Sequence, residues 1–239
     1  SNLQRQGLII WMSHSCWPSM VWQTYDYYFE PTAAYFGAKK ASAPIRIQWN
    51  LVSGQVEVVN NNAMDQNGLR AEAMVVNYDG KVVYQTSAEL DSKEDTTVPV
   101  FGLAFDSPEL SDVYYIKLRL TQGDRQLADN FYCLGKEDGN LHQLHSLPLT
   151  SVEADTSIRK DGDRWTATVH LKNSSDIPAL MIRLKLYGKK TGERILPAFY
   201  SDNYIALMPG EEKEITISFK DEDTRGERPD VEISGFNLK

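Results

Sequence analysis

The stretch Arg164-Trp165-Thr166-Ala167-Thr168-Val169-His170-Leu171-Lys172-Asn173 decides the fold. In an extended chain Trp165, Ala167, Val169 and Leu171 fall on one face and Thr166, Thr168, His170 and Lys172 on the other. That period of two fits a half-buried strand and no helix, so the first face is core. The same grammar runs outward from this strand. Upstream a partner is expected at 152–159, joined through the hairpin turn Asp161-Gly162-Asp163; downstream the strands fall at 180–187, 194–200, 204–208, 213–220 and 231–238. A poorly periodic stretch, 135–148, separates these from an earlier set at 45–49, 55–60, 69–77, 81–89, 96–103, 113–121 and 126–134, with hairpin turns at Asp79-Gly80 and Gly123-Asp124. About seven strands per ~100 residues, repeated, is the pattern of two immunoglobulin-like β-sandwiches.

The first 44 residues have a different composition. Nine of the chain's 25 aromatics lie between Trp11 and Phe36, whereas only two of its 33 acids, Asp26 and Glu30, precede Glu57. A segment so aromatic and so poor in charge is normally buried or lines a ligand cleft. Leu8-Ile9-Ile10-Trp11-Met12 after Gly7 reads as a short strand covered on both faces. Pro31 suits a first helical turn, and 32–42, with Lys39 and Lys40 near its end and Pro44 beyond, reads as a helix. One such βα unit cannot bury both faces of its strand alone. The segment is therefore expected to belong to a larger body, or otherwise to dock on the first sandwich or on a second copy, which would make a dimer through this N-terminal segment.

Composition removes several classes of function. The 239 residues carry a net charge of −8, and the sequence pI is near 5.1, the wrong sign for gripping a phosphate backbone. No apolar run approaches the ~18 residues of a membrane-spanning helix. Neither nucleic acid nor a membrane is expected as a partner. Cys16 and Cys133 are the only cysteines and lie far apart, which implies no disulfide framework. The opening residues hold no basic stretch followed by an apolar one, so no export signal is expected in them.

Several segments resemble glycoside hydrolase family 2. These are Trp11-Met12-Ser13-His14-Ser15-Cys16-Trp17-Pro18-Ser19 with Trp22, Tyr25-Asp26-Tyr27-Tyr28 and Pro31, then Ala34-Tyr35-Phe36-Gly37 with Lys39-Lys40-Ala41, and Pro44-Ile45-Arg46-Ile47-Gln48. The likeness resumes at Asn130-Phe131-Tyr132, Leu196-Pro197, Ser201-Asp202-Asn203-Tyr204, Leu207-Met208-Pro209-Gly210-Glu211 and Ser234-Gly235-Phe236-Asn237. It is most similar to the exo-β-D-glucosaminidases, with β-mannosidases and endo-β-mannosidases next. The resemblance implies a mainly β chain in three parts. Residues 1–44 would be the last βα unit of a (β/α)8 barrel, followed by immunoglobulin-like sandwiches at 45–146 and 147–239. It further implies the C-terminal part of a retaining hydrolase of β-linked glucosamine or mannose units, with both catalytic glutamates upstream and no catalytic residue in this chain. Its partners would then be an oligosaccharide substrate and the rest of the barrel. No cofactor or metal is implied, and a periplasmic or secreted parent is favoured.

Within that resemblance, barrel active sites lie at the carboxyl ends of the strands, so Trp11, His14 and Ser15 become candidate substrate-binding residues. Trp11 matches a family tryptophan that forms the apolar floor under the terminal sugar; its other reading is a plug of the barrel interior. His14-Ser15 stands where many relatives have Asn-Asn or Asn-Asp. Trp17 and Trp22 read as packing residues. A rival class is a non-catalytic tandem sandwich, an adhesin or carbohydrate-binding module using the aromatic segment as its binding surface.

Other constellations carry less. His142 and His145, three apart in a polar stretch, read as solvated rather than metal-bound. Asp221, Asp223, Gly226 and Glu232 follow a calcium-loop spacing, but Arg225 and Pro229 stand at ligand positions and the flanks read as strands. Asn173-Ser174-Ser175 is a glycosylation sequon.

Overall fold

Along residues 69–75 the chain alternates Leu69, Ala71, Ala73 and Val75, all buried, with Arg70, Glu72 and Met74 on the other face. Seven such strands build the first unit, residues 39–147 of the computed structural model, which describes residues 9–19, 23–103 and 107–239. They are β1 (Ile45–Asn50), β2 (Gln55–Asn60), β3 (Gln66–Asn77), β4 (Val82–Ser92), β5 (Thr96–Gly102), β6 (Val113–Gln122) and β7 (Arg125–Gly135). All pair antiparallel, in a three-stranded sheet β1-β2-β5 and a four-stranded sheet β4-β3-β6-β7. Ile47, Val56 and Val58 from one sheet pack with Leu69, Ala71, Ala73, Val75, Ile116, Leu118 and Leu120 from the other. This is the alternation of an aligned sandwich, inward apolar and outward polar. The two-residue turn Gly123-Asp124 joins Gln122 to its partner Arg125, with Gly123 at φ +56°, a left-handed value that glycine adopts without a Cβ clash.

The second unit joins residues 148–239 to the described residues of 9–38. Its strands are β8 (Glu153–Asp161), β9 (Arg164–Lys172), β10 (Ala179–Gly188), β11 (Phe199–Tyr200), β12 (Ile205–Leu207), β13 (Glu212–Lys220) and β14 (Pro229–Ser234). They form the sheets β11-β13-β9-β8 and β12-β10-β14. Ala167, Val169 and Leu171 of β9 face inward with Ile215 and Ile217 of β13, against Ile182, Leu184 and Leu186 of β10. Both sandwiches close one corner with an asparagine at the end of their second strand. Asn60 Nδ2 donates to the carbonyls of Met64 and Lys93, and Asn173 Nδ2 to those of Ile177 and Leu207.

Two expected strands shrink. The one at 194–200 survives only as Phe199–Tyr200, with Arg194 in an isolated bridge to Tyr187, because Pro197 has no N–H to give a ladder. The one at 231–238 ends at Ser234. A side chain at Gly235 would come within 2.8 Å of Leu238, and the chain turns there so that Asn237 can donate to the carbonyls of Pro148 and Pro178.

The N-terminal piece departs most from expectation. The helix is present as α1 (Ala33–Ala41), but residues 9–12 form no strand, and Leu8, the first residue of that expected strand, lies outside the described residues. A barrel strand takes its hydrogen bonds from a parallel neighbour on each side, and among the described residues none flanks this one. Phe36 enters the core of the second sandwich, with Tyr35 packed against it.

Candidate functional site

The aromatic segment is a folded loop laid on the second sandwich. Ser13 offers its carbonyl to the Tyr25 N–H (2.9 Å) and to Thr24 Oγ1 (3.2 Å), which bridges the His14 and Tyr25 backbones in parallel. Asp26 organises the turn that follows. Its Oδ1 accepts the N–H groups of Tyr28 (2.8 Å) and Glu30 (2.9 Å), while its own N–H donates to the Glu30 carbonyl (3.0 Å). This aspartate turn holds Phe29 at φ +64°, a left-handed conformation that a bulky residue keeps only when its surroundings impose it. Thr32 then ties the loop to the helix: its Oγ1 donates to the Gln23 carbonyl (2.8 Å), and its own carbonyl accepts the Tyr35 N–H.

Below the turn lies a buried ion cluster. Glu30, 5% exposed, receives Arg183 Nη2 on Oε1 and Arg194 Nε on Oε2, each at 2.5 Å. Arg194 also sets its guanidinium 4.9 Å from the centre of the Tyr28 ring, with Asp26 Oδ2 at 4.0 Å from Nη2. Burial works against the charge on Arg183, but the hydrogen bond and charge of Glu30 outweigh it and hold the guanidinium pKa above its usual value. The Tyr200 phenol, buried nearby and donating no charge, is pushed up to about 12 by its burial. The buried carboxylate thus meets a guanidinium on each of its two oxygens, the pairing that a desolvated charge requires.

Of the expected substrate-binding residues, Trp11 is 78% exposed. His14 is half-buried; its ring stacks on Phe29 with centroids 4.2 Å apart and planes 11° from parallel, and its Nε2 lies 3.2 Å from the Tyr27 carbonyl oxygen. Ser15 is buried, and its Oγ has no hydrogen-bond partner among the described residues; the same holds for Oε1 of buried Gln23. Trp17 is exposed, and Trp22 lies outside the described residues. Trp11, Met12, Trp17, Tyr28 and Phe29 leave this loop with a strongly apolar surface, more than a solvated loop ordinarily shows. Phe36 is the aromatic of this segment that is buried in the core.

The sequence pointed to the loop and missed the cluster beneath it. A usable signal was present: two lone acids in an otherwise acid-free segment call for cations, and Arg183 and Arg194 supply them from more than 150 positions away.

The other motifs are occupied locally. His142 and His145 sit on a short 3-10 turn, both exposed, ring centroids 6.1 Å apart. Asp221 is taken by Trp165 Nε1 and Lys160 Nζ, each at 2.7 Å. The sequon asparagine Asn173 is fully buried. His170 faces outward, 3.2 Å from Glu214, in an open groove that also holds Glu153, Asp155 and the pair Lys172–Glu212.

The profile of the exo-β-D-glucosaminidase Ig-fold domain matches residues 130–238. The exo-β-D-glucosaminidase of Streptomyces avermitilis is 32% identical over 97% of this chain and 28% of its own length. The mannosylglycoprotein endo-β-mannosidase of Lilium longiflorum is 24% identical over 97% of this chain and 30% of its own. Among solved structures, the exo-chitosanase CsxA of Amycolatopsis orientalis superposes with a TM-score of 0.88 at 28% identity, covering 95% of this chain and 30% of that one. The chain thus spans less than a third of the length of the relatives it matches. Over nearly its whole length, sequence and fold thus align this chain with the C-terminal part of exo-β-D-glucosaminidases, with mannosidases as further relatives.

Proposed function

We propose that this chain is the C-terminal part of a retaining exo-β-glycosidase that removes β-linked glucosamine units, with mannose as the neighbouring sugar class. Residues 1–44 would complete a barrel, and residues 45–146 and 147–239 would be the two supporting sandwiches. The observation that carries this reading is the exposed aromatic loop. Trp11 presents its indole to solvent, beside a histidine held on an aromatic platform, in a chain whose relatives are named as glucosaminidases over nearly its whole length. An indole face suits the axial C–H groups of a pyranose. The His14 ring and the Ser15 hydroxyl, the latter buried with its Oγ unpartnered among the described residues, would contribute contacts to the sugar or to the barrel around it.

The chemistry itself is assigned elsewhere in the parent. A retaining mechanism needs two carboxyl groups about 5 Å apart across one sugar ring. Asp26 and Glu30, the acids of the loop, are instead spent on two backbone N–H groups and two guanidinium groups. In the full-length enzyme, Trp11→Ala should lower kcat/KM for a p-nitrophenyl β-D-glucosaminide by about ten- to a thousand-fold, whereas His170→Ala should leave it unchanged. Parent-like turnover in both variants would return Trp11 to a packing role.

A further inference from the structure

We infer that the second sandwich positions the sugar-facing loop, and that Arg194 is the residue through which it does so. The inference rests on the site reading above and deepens it. Arg194 grips the residues on either side of Phe29: its guanidinium covers the Tyr28 ring at 4.9 Å, and its Nε meets the Glu30 carboxylate at 2.5 Å. Phe29, between them, is the platform on which the His14 ring stacks at 4.2 Å.

Three features make this a clamp. Phe29 sits at φ +64°, so relaxation of the turn would move its ring and with it His14. The planar guanidinium can stack on an aromatic face and donate to a carboxylate at once, which a lysine ammonium cannot do with the same geometry. Arg183, on β10, holds the other carboxylate oxygen of Glu30, so the anchor is a core strand of the sandwich. The position of His14 is thereby set by residues of the sandwich beneath the loop. Arg194 is a positioning residue, and its loss should be felt in substrate binding.

The test uses the full-length enzyme and the variants Arg194→Met, Arg194→Lys and Tyr28→Leu, with His14→Ala and Trp11→Ala as references. Displacing a binding group by about 1 Å can cost up to a hundredfold, so Arg194→Met should raise KM about tenfold with kcat held within about twofold. Arg194→Lys should fall between parent and Arg194→Met. Tyr28→Leu should raise KM in the same direction by about threefold. Tyr28 is exposed, so this variant reads the clamp even if Arg194→Met folds poorly. A merely structural loss would lower the active fraction, hence the apparent kcat, and leave KM alone. Parent-like KM in both Arg194→Met and Tyr28→Leu overturns the inference. If His14→Ala still impairs kcat/KM in that case, the site reading stands without it; if His14→Ala and Trp11→Ala are silent too, both fall.

Discussion

Phe36 of the helix meets Tyr200 of β11 edge to face, ring centroids 6.2 Å apart and planes at 87°, inside the core of the second sandwich. The helix is therefore part of that core, although more than 100 residues separate it from β8, the first strand there. Truncating a buried phenylalanine costs about 3 to 5 kcal/mol, from lost transfer energy and the cavity left behind. Phe36→Ala should lower the denaturant midpoint of the unit containing Trp165, read by its fluorescence, and leave the first sandwich unchanged. An unaltered midpoint would mean that the second sandwich closes without the helix.

The strands were legible because a half-buried strand writes its environment into the sequence every second residue. Arg164 to Lys172 is the clearest case, and the outward face of β3 is another. The short β11 was less so: Arg194 to Tyr200 looks strand-like by composition, and its irregular path follows from where Arg194 and Pro197 must point. The Glu30 cluster left no periodic trace, since it pairs one residue with two others far along the chain. The docking of the aromatic segment on the second sandwich was equally invisible locally, because exposed and buried aromatics in one loop differ only in what stands opposite them.

On β3, Glu72 lies opposite Arg119, whose Nη2 reaches Oε2 at 2.5 Å, while Arg70 Nε approaches Oε1 at 3.2 Å. Partial burial raises the carboxyl pKa, but the two arginines more than offset it, so the folded value lies below the usual carboxylate range. A depressed folded pKa contributes stability that is complete above the unfolded pKa and is lost as pH falls through the folded one. Glu72→Gln should therefore cost about 1 kcal/mol at pH 7, discounted for the exposure of both arginines. The gap to the parent should close on acidification below the ordinary carboxylate range. A gap that stays constant down to acid pH would show that the loss is not electrostatic.

The two thiols should behave differently. Cys16 is exposed, whereas Cys133 sits on β7 opposite Tyr115, and burial pushes its pKa up to about 11. At pH 8 about one Cys133 in a thousand would be a thiolate, the form that attacks. An aromatic disulfide reagent should thus label one thiol per folded chain rapidly, and the second only on unfolding. Two equally fast thiols would place Cys133 in contact with solvent.

The sequon at Asn173 should be closed to glycosylation once the second sandwich has folded. Its Nδ2, the atom a glycan would occupy, gives both hydrogens to carbonyls, Ile177 at 2.8 Å and Leu207 at 2.9 Å. Its Oδ1 accepts from the Ser175 N–H (3.1 Å) and the Ser175 hydroxyl (2.8 Å). The asparagine is fully buried, so a glycan there could be accommodated only by opening the corner between β9 and β10. Removing the amide would leave two carbonyls short of a donor, at about 1 to 3 kcal/mol for each buried group. Asn173→Ala should therefore destabilise the second sandwich by about 2 to 6 kcal/mol. Made in a glycosylating host, the folded chain should show no mass added at Asn173, and any glycosylated species should be recovered unfolded or degraded. A folded, glycosylated chain with parent-like stability would show that the corner tolerates opening, and that the asparagine is not what holds it.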